Sequence, residues 1–308
     1  MINVGVLWDF EVEWDRDKPF DMAANETYEY FSSLAEEEDI NLVVAKYSWL
    51  EDGVLKKAWE FDNGWKQVED VELDAVHDKF KTDEETLKLK NEINDSIGLI
   101  NQPELEVLCK DKLETYQRFS EHVPGTRKAS ESNIEEMITE YGKIVLKPRR
   151  AYGAEGIYII EEGDDLPEIE NSEYIVQRFV DSSGGIDGLV DGSHDLRGIV
   201  VNRELLGAYI RYNEHSEISN VSEGGTKKAL TIEEFPEDAK EIIRDVSDEL
   251  EYSPAIFSVD FFYDEKGDPW IVELNGKPGL NFFGDKEVKK QVTPIMKELL
   301  NCYKELAD

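Results

Sequence analysis

The 308-residue chain is poor in cysteine, in histidine and above all in positive charge. Its two cysteines, Cys109 and Cys302, fit no metal-ligand spacing, so reduced thiols and a cytoplasmic location are expected. Its four histidines occupy no setting that suggests acid–base catalysis. No uninterrupted apolar run of about 18 residues occurs, which argues against a membrane-spanning helix. The opening MINVGVLWDFEVEWD turns acidic early and has no basic start, so it reads as a first strand rather than a signal peptide.

Cations are the scarcest resource: 34 Lys and Arg stand against 70 Asp and Glu, a net charge of −36. Nucleic acid and anionic membrane would both be repelled, so neither is expected as a main partner. The plain reading of the excess is a solvated acidic surface. Acids are spread along the whole chain, as in EEGDDLPEIENSE over Glu161–Glu173, a distribution that resembles proteins of salt-rich cytoplasms. The 24 Lys against 10 Arg fit that pattern imperfectly. The useful consequence is local: where the rare cations gather, a specific anion is expected.

Apolar residues make up 40% of the chain and aromatics 10%, enough for a substantial core in two domains or one lobed domain. INVGVLW (2–8), a helical stretch over Met22–Glu37 and NLVVAK (41–46) read as a βαβ opening, hence a parallel sheet. A turn at Asp62–Gly64, a helix over Asp83–Ser96 and the strand IGLINQ bring a first unit to its end near residue 108. Beyond it, a helix starts near Lys110 and ends at Val123-Pro124-Gly125, and a second covers 131–141. KIVLKPRRAYGAEGIYII reads as strand, loop and strand, and EYIVQRFV (173–180) as a further strand. After the Gly-rich DSSGGIDGLVDGSH, two antiparallel strands turn at Asn202–Arg203. A helix over Pro236–Leu250, a hairpin turning at Asp264–Asp268 and a helix over Lys286–Leu306 finish the chain.

That hairpin carries the chemistry. Alternate strand residues share a face, so Glu273 and Asn275 in WIVELN point the same way, and Asp260 in FSVDFF faces them across the turn. Two carboxylates and an amide oxygen, without His or Cys, suit Mg²⁺ or Mn²⁺ rather than zinc. Simple exposure of these polar residues is the alternative. Lys147 ends the apolar run IVL beside a loop containing Gly153 and Gly156, an arrangement able to cradle phosphates, though GAEG alone also reads as a plain turn. Arg197, Arg211, Lys227 and Lys228 follow, and Asn220 opens NVSEGG. Singly these are surface charges. Together, in so acidic a chain, they point to an anion.

In order, these pieces resemble the ATP-grasp superfamily of carboxylate–amine ligases, nearest the branch of glutathione synthetase and the ribosomal-protein glutamate ligases. KDKLETYQRF…VPGTRKA is similar to the family's helix with the first nucleotide lysine, here Lys112. IVLKPRRAYGAEGIYII resembles the second lysine strand and phosphate-covering loop, with Lys147, Gly153, Ala154 and Gly156. YIVQRFV resembles the strand that meets adenine near Gln177, Arg178 and Phe179. HDLRGIVV matches a D-x-R pattern with Asp195 and Arg197, and AYIRYN…SNVSEGG an arginine followed by N-x-x-x-G-G, here Arg211 and Asn220. SVDFF…WIVELNGKPGL matches the metal-binding Asp260, Glu273 and Asn275. The likeness covers about residues 100–285; the first 100 match in general pattern only. The insert Ser182–Ser193 is also similar to spore-coat-associated ATP-grasp proteins, while Glu223 and Lys277 depart from the glutamate ligases where the acceptor should approach.

The resemblance implies an α/β fold: a parallel-sheet pre-ATP-grasp domain (1–108), an ATP-grasp small lobe (109–185) and a C-terminal lobe with the metal site (186–308). It implies ATP and Mg²⁺, two ions with Mn²⁺ as the alternative, and a carboxylate activated as an acylphosphate that an amine then captures. Arg211, Asn220 and Arg197 would be catalytic. Partners would be a small carboxylate and an amine or amino acid, with a peptide or protein acceptor also open, in a chain whose family commonly forms homodimers. A small-molecule kinase on the same scaffold and a non-catalytic nucleotide binder are the alternatives. Glu273→Ala is expected to abolish Mg²⁺-dependent ATP turnover while circular dichroism stays unchanged; undiminished turnover would remove the metal reading.

Overall fold

The computed structural model describes residues 1–9, 12–151, 156–213, 226–281 and 285–308. Its first part contains β1 (Ile2–Trp8), α1 (Met22–Glu36), β2 (Ile40–Lys46) and the short strands β3 (Leu50–Glu51), β4 (Val54–Leu55), β5 (Ala58–Phe61), β6 (Trp65–Val68) and β7 (Val71–Glu72). β8 (Ala75–Asp78), α2 (Glu84–Ser96) and β9 (Leu99–Ile100) follow. Six of these strands form one sheet in the order β6-β5-β2-β1-β8-β9. β1 pairs parallel with β2 and β8, as the βαβ reading requires, and β8 with β9. Both faces of β1 are buried: Val4 and Val6 join one core, Leu7 another, so the strand reads as a continuous apolar run. The turn expected at Asp62–Gly64 joins β5 and β6, while the shorter strands around it, of two to four residues, carry too little periodicity to be read from sequence.

α3 (Pro103–Lys110) and α4 (Lys112–Arg118) replace the single helix expected from Lys110. The break is Asp111, whose Oδ1 accepts the N–H groups of Leu113 and Glu114 and caps α4. Next come β10 (Thr126–Lys128), α5 (Glu131–Tyr141), β11 (Lys143–Pro148), β12 (Tyr158–Glu161) and β13 (Tyr174–Arg178). They form an antiparallel sheet, β10-β13-β11-β12, with α5 packed on it through Ile134 and Met137.

The last part contains β14 (Ser193–Val201), β15 (Glu204–Asn213), β16 (Thr226–Leu230), α6 (Glu237–Glu249), β17 (Ile256–Tyr263), β18 (Pro269–Asn275) and α7 (Lys286–Ala307). Its sheet is antiparallel in the order β16-β15-β14-β17-β18. The β14–β15 turn falls at Asn202 and Arg203, both with positive φ (48° and 71°), the conformation a two-residue hairpin needs. α6 covers one face through Ala239, Ile243 and Val246. α7 covers one end of the other face and also packs on α1, so a single core joins this sheet to the first one. It sits tightly at Gly207, where an added Cβ would lie 2.6 Å from Ile295 Cδ1. Among the described residues no helix is long and apolar enough to cross a membrane.

Leu299 is fully buried in that shared core. Leu299→Ala is therefore expected to cost about 2–5 kcal/mol, measured by urea unfolding.

Candidate active site

The five-stranded sheet decides which side chains meet, because directly opposed residues of antiparallel strands share a face. Asp195, Arg211 and Lys227 form one row across it. Arg197, Tyr209, Asp260 and Glu273 form the next, and Ser258 with Asn275 the one beyond. α7 covers that face from Ile199 and Val201 onward, so the charged rows begin where apolar cover stops.

Asp260 is 2% exposed, and a carboxylate so buried needs a counter-charge. Arg197 grips it with both arms of its guanidinium, Nε to Oδ1 at 2.5 Å and Nη2 to Oδ2, while Arg211 Nη2 stands 3.3 Å from Oδ2. Burial works against the Arg197 charge, yet Asp260 outweighs it and holds the guanidinium protonated more firmly than usual. Arg211 also binds Asp195 through Oδ2. The other oxygen of Asp195, Oδ1, is buried without a hydrogen-bond partner among the described residues, and burial together with Asp260 pushes this carboxyl up to about 7. Tyr209 lies among the cations, with Lys227 Nζ 3.9 Å and the Arg197 guanidinium 5.6 Å from its ring centre.

Two lysines from outside this sheet reach the same strand end. Lys112, the first residue of α4, places Nζ 3.4 Å from Glu273 Oε1 and donates to the Ala151 carbonyl. Lys147, on β11 and buried, donates to the Val272 carbonyl at 3.3 Å. Burial and the Lys112 charge lower Lys147 to about 7. Asp111, missed in the sequence, supports both: besides capping α4 it binds Arg149 and Arg150 Nε at 2.7 and 2.8 Å, tying β11's end to the helix that carries Lys112. An Asp directly before a helix start was the available signal.

Asp260, Glu273 and Asn275 stand together on β17 and β18, with Asn275 Oδ1 accepting the Lys277 N–H at 2.9 Å. Among the described residues no group of three or more His, Cys, Asp or Glu could hold a metal. Two carboxylates and an amide fit a hard cation that takes few protein oxygens, and Asp195 Oδ1, without a partner among the described residues, is an oxygen left open beside them.

Gly153, Ala154 and Asn220, with Glu223, lie outside the described residues. Gly156 has φ +74°, and an added Cβ would lie 2.8 Å from the Tyr174 hydroxyl. Gln177 is buried, its Nε2 donating to Thr126 Oγ1 at 2.8 Å. The Arg178 and Phe179 N–H groups bond Gly125 and Lys143 carbonyls within the small sheet. The Arg178 side chain crosses to the large sheet and stacks 4.1 Å over Trp270, its Nε and Nη2 buried without partners among the described residues.

A model of the ATP-grasp domain matches residues 109–279, more than half of the chain. The chain belongs to the ATP-grasp family. No curated protein matches this ATP-grasp chain in sequence. Among solved structures, N5-carboxyaminoimidazole ribonucleotide synthetase from Thermotoga maritima superposes with a TM-score of 0.63 at 16% identity, over 99% of this chain and 76% of that one. D-alanyl-alanine synthetase A from Vibrio cholerae gives 0.61 at 13%, covering 99% and 98%. The ATP-grasp ligase PsnB, complexed with a phosphomimetic variant of its minimal precursor, Mg and ADP, gives 0.59 at 12%, covering 100% and 99%. These likenesses establish the α/β ATP-grasp fold and its N-terminal domain.

Lys277, which the motif comparison set beside the acceptor, turns inward in this ATP-grasp chain. Its Nζ lies 2.9 Å from Glu106 and 3.3 Å from Asp78 and donates to the Phe80 carbonyl. Lys90, fully buried, binds the same two carboxylates. The two lysines neutralise two acids between the first sheet, α3 and the turn after β18, so this ammonium is committed to structure.

The lowered Lys147 predicts a pH dependence. In the free protein it loses its proton above about pH 7, whereas a phosphate at its ammonium would restore the charged form. ATP binding is then expected to take up a proton above pH 7 and to weaken as pH rises, by up to about tenfold per unit. Calorimetry in buffers of different ionisation enthalpy measures the uptake.

Proposed function

We propose that this protein is an ATP-dependent ligase that joins a carboxylate to an amine through an acylphosphate. The observation that carries the reading is the convergence of Lys112 and Lys147 on the strand of Glu273, opposite the row of Arg197 and Asp260. Lysines placed there, on an acidic chain, suit nucleotide phosphates. Residues 1–108 would act as the pre-ATP-grasp domain, 109–185 as the small lobe and 186–308 as the lobe with the metal site. The loop containing Gly153, Ala154 and Gly156 would cover the phosphates, and the strand end at Gln177, Arg178 and Phe179 would meet the base.

Asp260, Glu273 and Asn275 would hold Mg²⁺, which neutralises phosphate charge and makes ADP a better leaving group. Lys147 and Lys112 bind and orient the phosphates. The substrate carboxylate oxygen bonds the γ-phosphorus as the bond to the ADP oxygen breaks. The amine nitrogen then bonds the acyl carbon, phosphate leaves and the amine gives up a proton. Arg211, which now pairs with Asp195 and Asp260, would turn to grip phosphoryl oxygens with its planar fork once cations take up those carboxylates. Asn220 would act beside it. Arg197 would hold Asp260 oriented toward the cation. Asp195, with one free oxygen, would share the nucleotide's cation.

Peptide and small amino-acid acceptors both suit the fold: PsnB forms a complex with a precursor peptide, and the Vibrio enzyme is a D-alanyl-alanine synthetase. The test is ADP release with mixed amino acids and small carboxylates, with Mg²⁺ at high salt, followed by mass spectrometry. ADP and phosphate formed only when carboxylate and amine are both present is the expected result. A stable phosphorylated product would instead make it a kinase, and no release with any pair would overturn the ligase.

A further inference from the structure

Asn101 is 1% exposed, belongs to no motif and lies just beyond β9, at the edge of the first sheet. All three hydrogen bonds of its side chain go to backbone far along the chain. Nδ2 donates to the Ile256 carbonyl at 2.7 Å and to the Gly276 carbonyl at 2.6 Å, and Oδ1 accepts the Ile256 N–H at 2.7 Å. Ile256 is the first residue of β17, and Gly276 directly follows the last residue of β18. One amide thus fastens together the start of the strand bearing Asp260 and the end of the strand bearing Glu273 and Asn275.

The grip is close. An added Cβ on Gly276 would lie 3.4 Å from Asn101 Nδ2, 3.7 Å from Glu106 Cγ and 3.8 Å from Cys109 Cβ, so the turn rests against α3. Lys79 reaches the next part of the turn, donating to the Pro278 carbonyl at 3.2 Å. The backbone at Gly276 is one bond from Asn275 and three residues from Glu273, too short a lever for a displacement to dissipate. Relative placement of oxygen donors sets cation affinity, and the groups that orient donors tune it.

We infer that Asn101 is a positioning residue through which the N-terminal domain sets the separation of Asp260 from Glu273 and Asn275, and thereby the affinity of the site for a divalent cation. This rests on the reading of those three residues as metal ligands.

Asn101→Asp tests it. The carboxylate keeps the size and the acceptor for the Ile256 N–H but cannot donate to either carbonyl. Mn²⁺ binding to the ADP complex, followed by electron paramagnetic resonance of the free ion, is expected to weaken about tenfold or more, while thermal unfolding stays cooperative. Leu299→Ala, which loosens the core that also holds Ile100 and Ile256 but removes none of these hydrogen bonds, is the control and should leave Mn²⁺ affinity within about twofold of the parent. Should Asn101→Asp fail to fold, Asn101→Ser, which retains one donor, is read in the same way. Mn²⁺ affinity unchanged in the Asn101 variant, or weakened equally in Leu299→Ala, would overturn the inference and leave the metal site standing. No Mn²⁺ binding by the parent with ADP would overturn the metal site itself, and the inference with it.

Discussion

A carboxylate with almost no access to water has to find its counter-charge inside the protein, and Asp260 finds it in Arg197. Removing one partner of such a pair leaves a bare buried charge, at a cost of about 3–5 kcal/mol. The pairing exists only because β14 and β17 are aligned so that residues 197 and 260 are directly opposed. A slip of one residue would turn one of the two side chains to the face that packs on α6, away from its partner. Register therefore does two tasks at once: it keeps apolar residues on one side, and it collects acids and cations on the other.

The balance reached on that face is provisional. Arg211 serves Asp195 and Asp260 together and still leaves one Asp195 oxygen unpaired, while Lys227 stands over an aromatic ring without an ion-pair partner among the described residues. Lys147 is held where its charge is costly. Carboxylates short of positive charge next to cations short of negative charge suit a ligand that carries both, as a metal–nucleotide complex does. The anchoring around the site is of the opposite kind. Lys90 and Lys277 with Asp78 and Glu106, Asp111 with Arg149 and Arg150, and Asn101 with its backbone partners pair acid with base or amide with backbone and tie separate sheets together, although Glu106 Oε1 is itself without a partner among the described residues. Rigid supports thus surround an unsaturated centre.

Much of this was legible beforehand. Alternation in FSVDFF and WIVELN is enough to put Asp260, Glu273 and Asn275 on one face, and the ordered motifs carried the family. The parallel opening, both later hairpins and the long final helix follow from apolar periodicity and turn residues. What escaped depends on distance in sequence. Asn101 looks like a loop residue until its partners, at positions 256 and 276, are folded against it. Lys277 looks like a substrate lysine because nothing near it in sequence reveals that Glu106 and Asp78 lie beneath. Asp111 was readable as a cap, yet its grip on Arg149 and Arg150 was not.

By itself, the sequence determined the local facts: most of the longer strands and helices, and that Glu273 and Asn275 share one face of their strand. Those follow from backbone periodicity and composition, which act within a few residues. Only the tertiary structure decided which cation meets which acid, because Coulomb attraction and desolvation depend on separation in space and on burial. Lys112 and Glu273 are 161 positions apart in the chain and 3.4 Å apart in the fold. Lys277, a few residues from the same glutamate, is spent elsewhere.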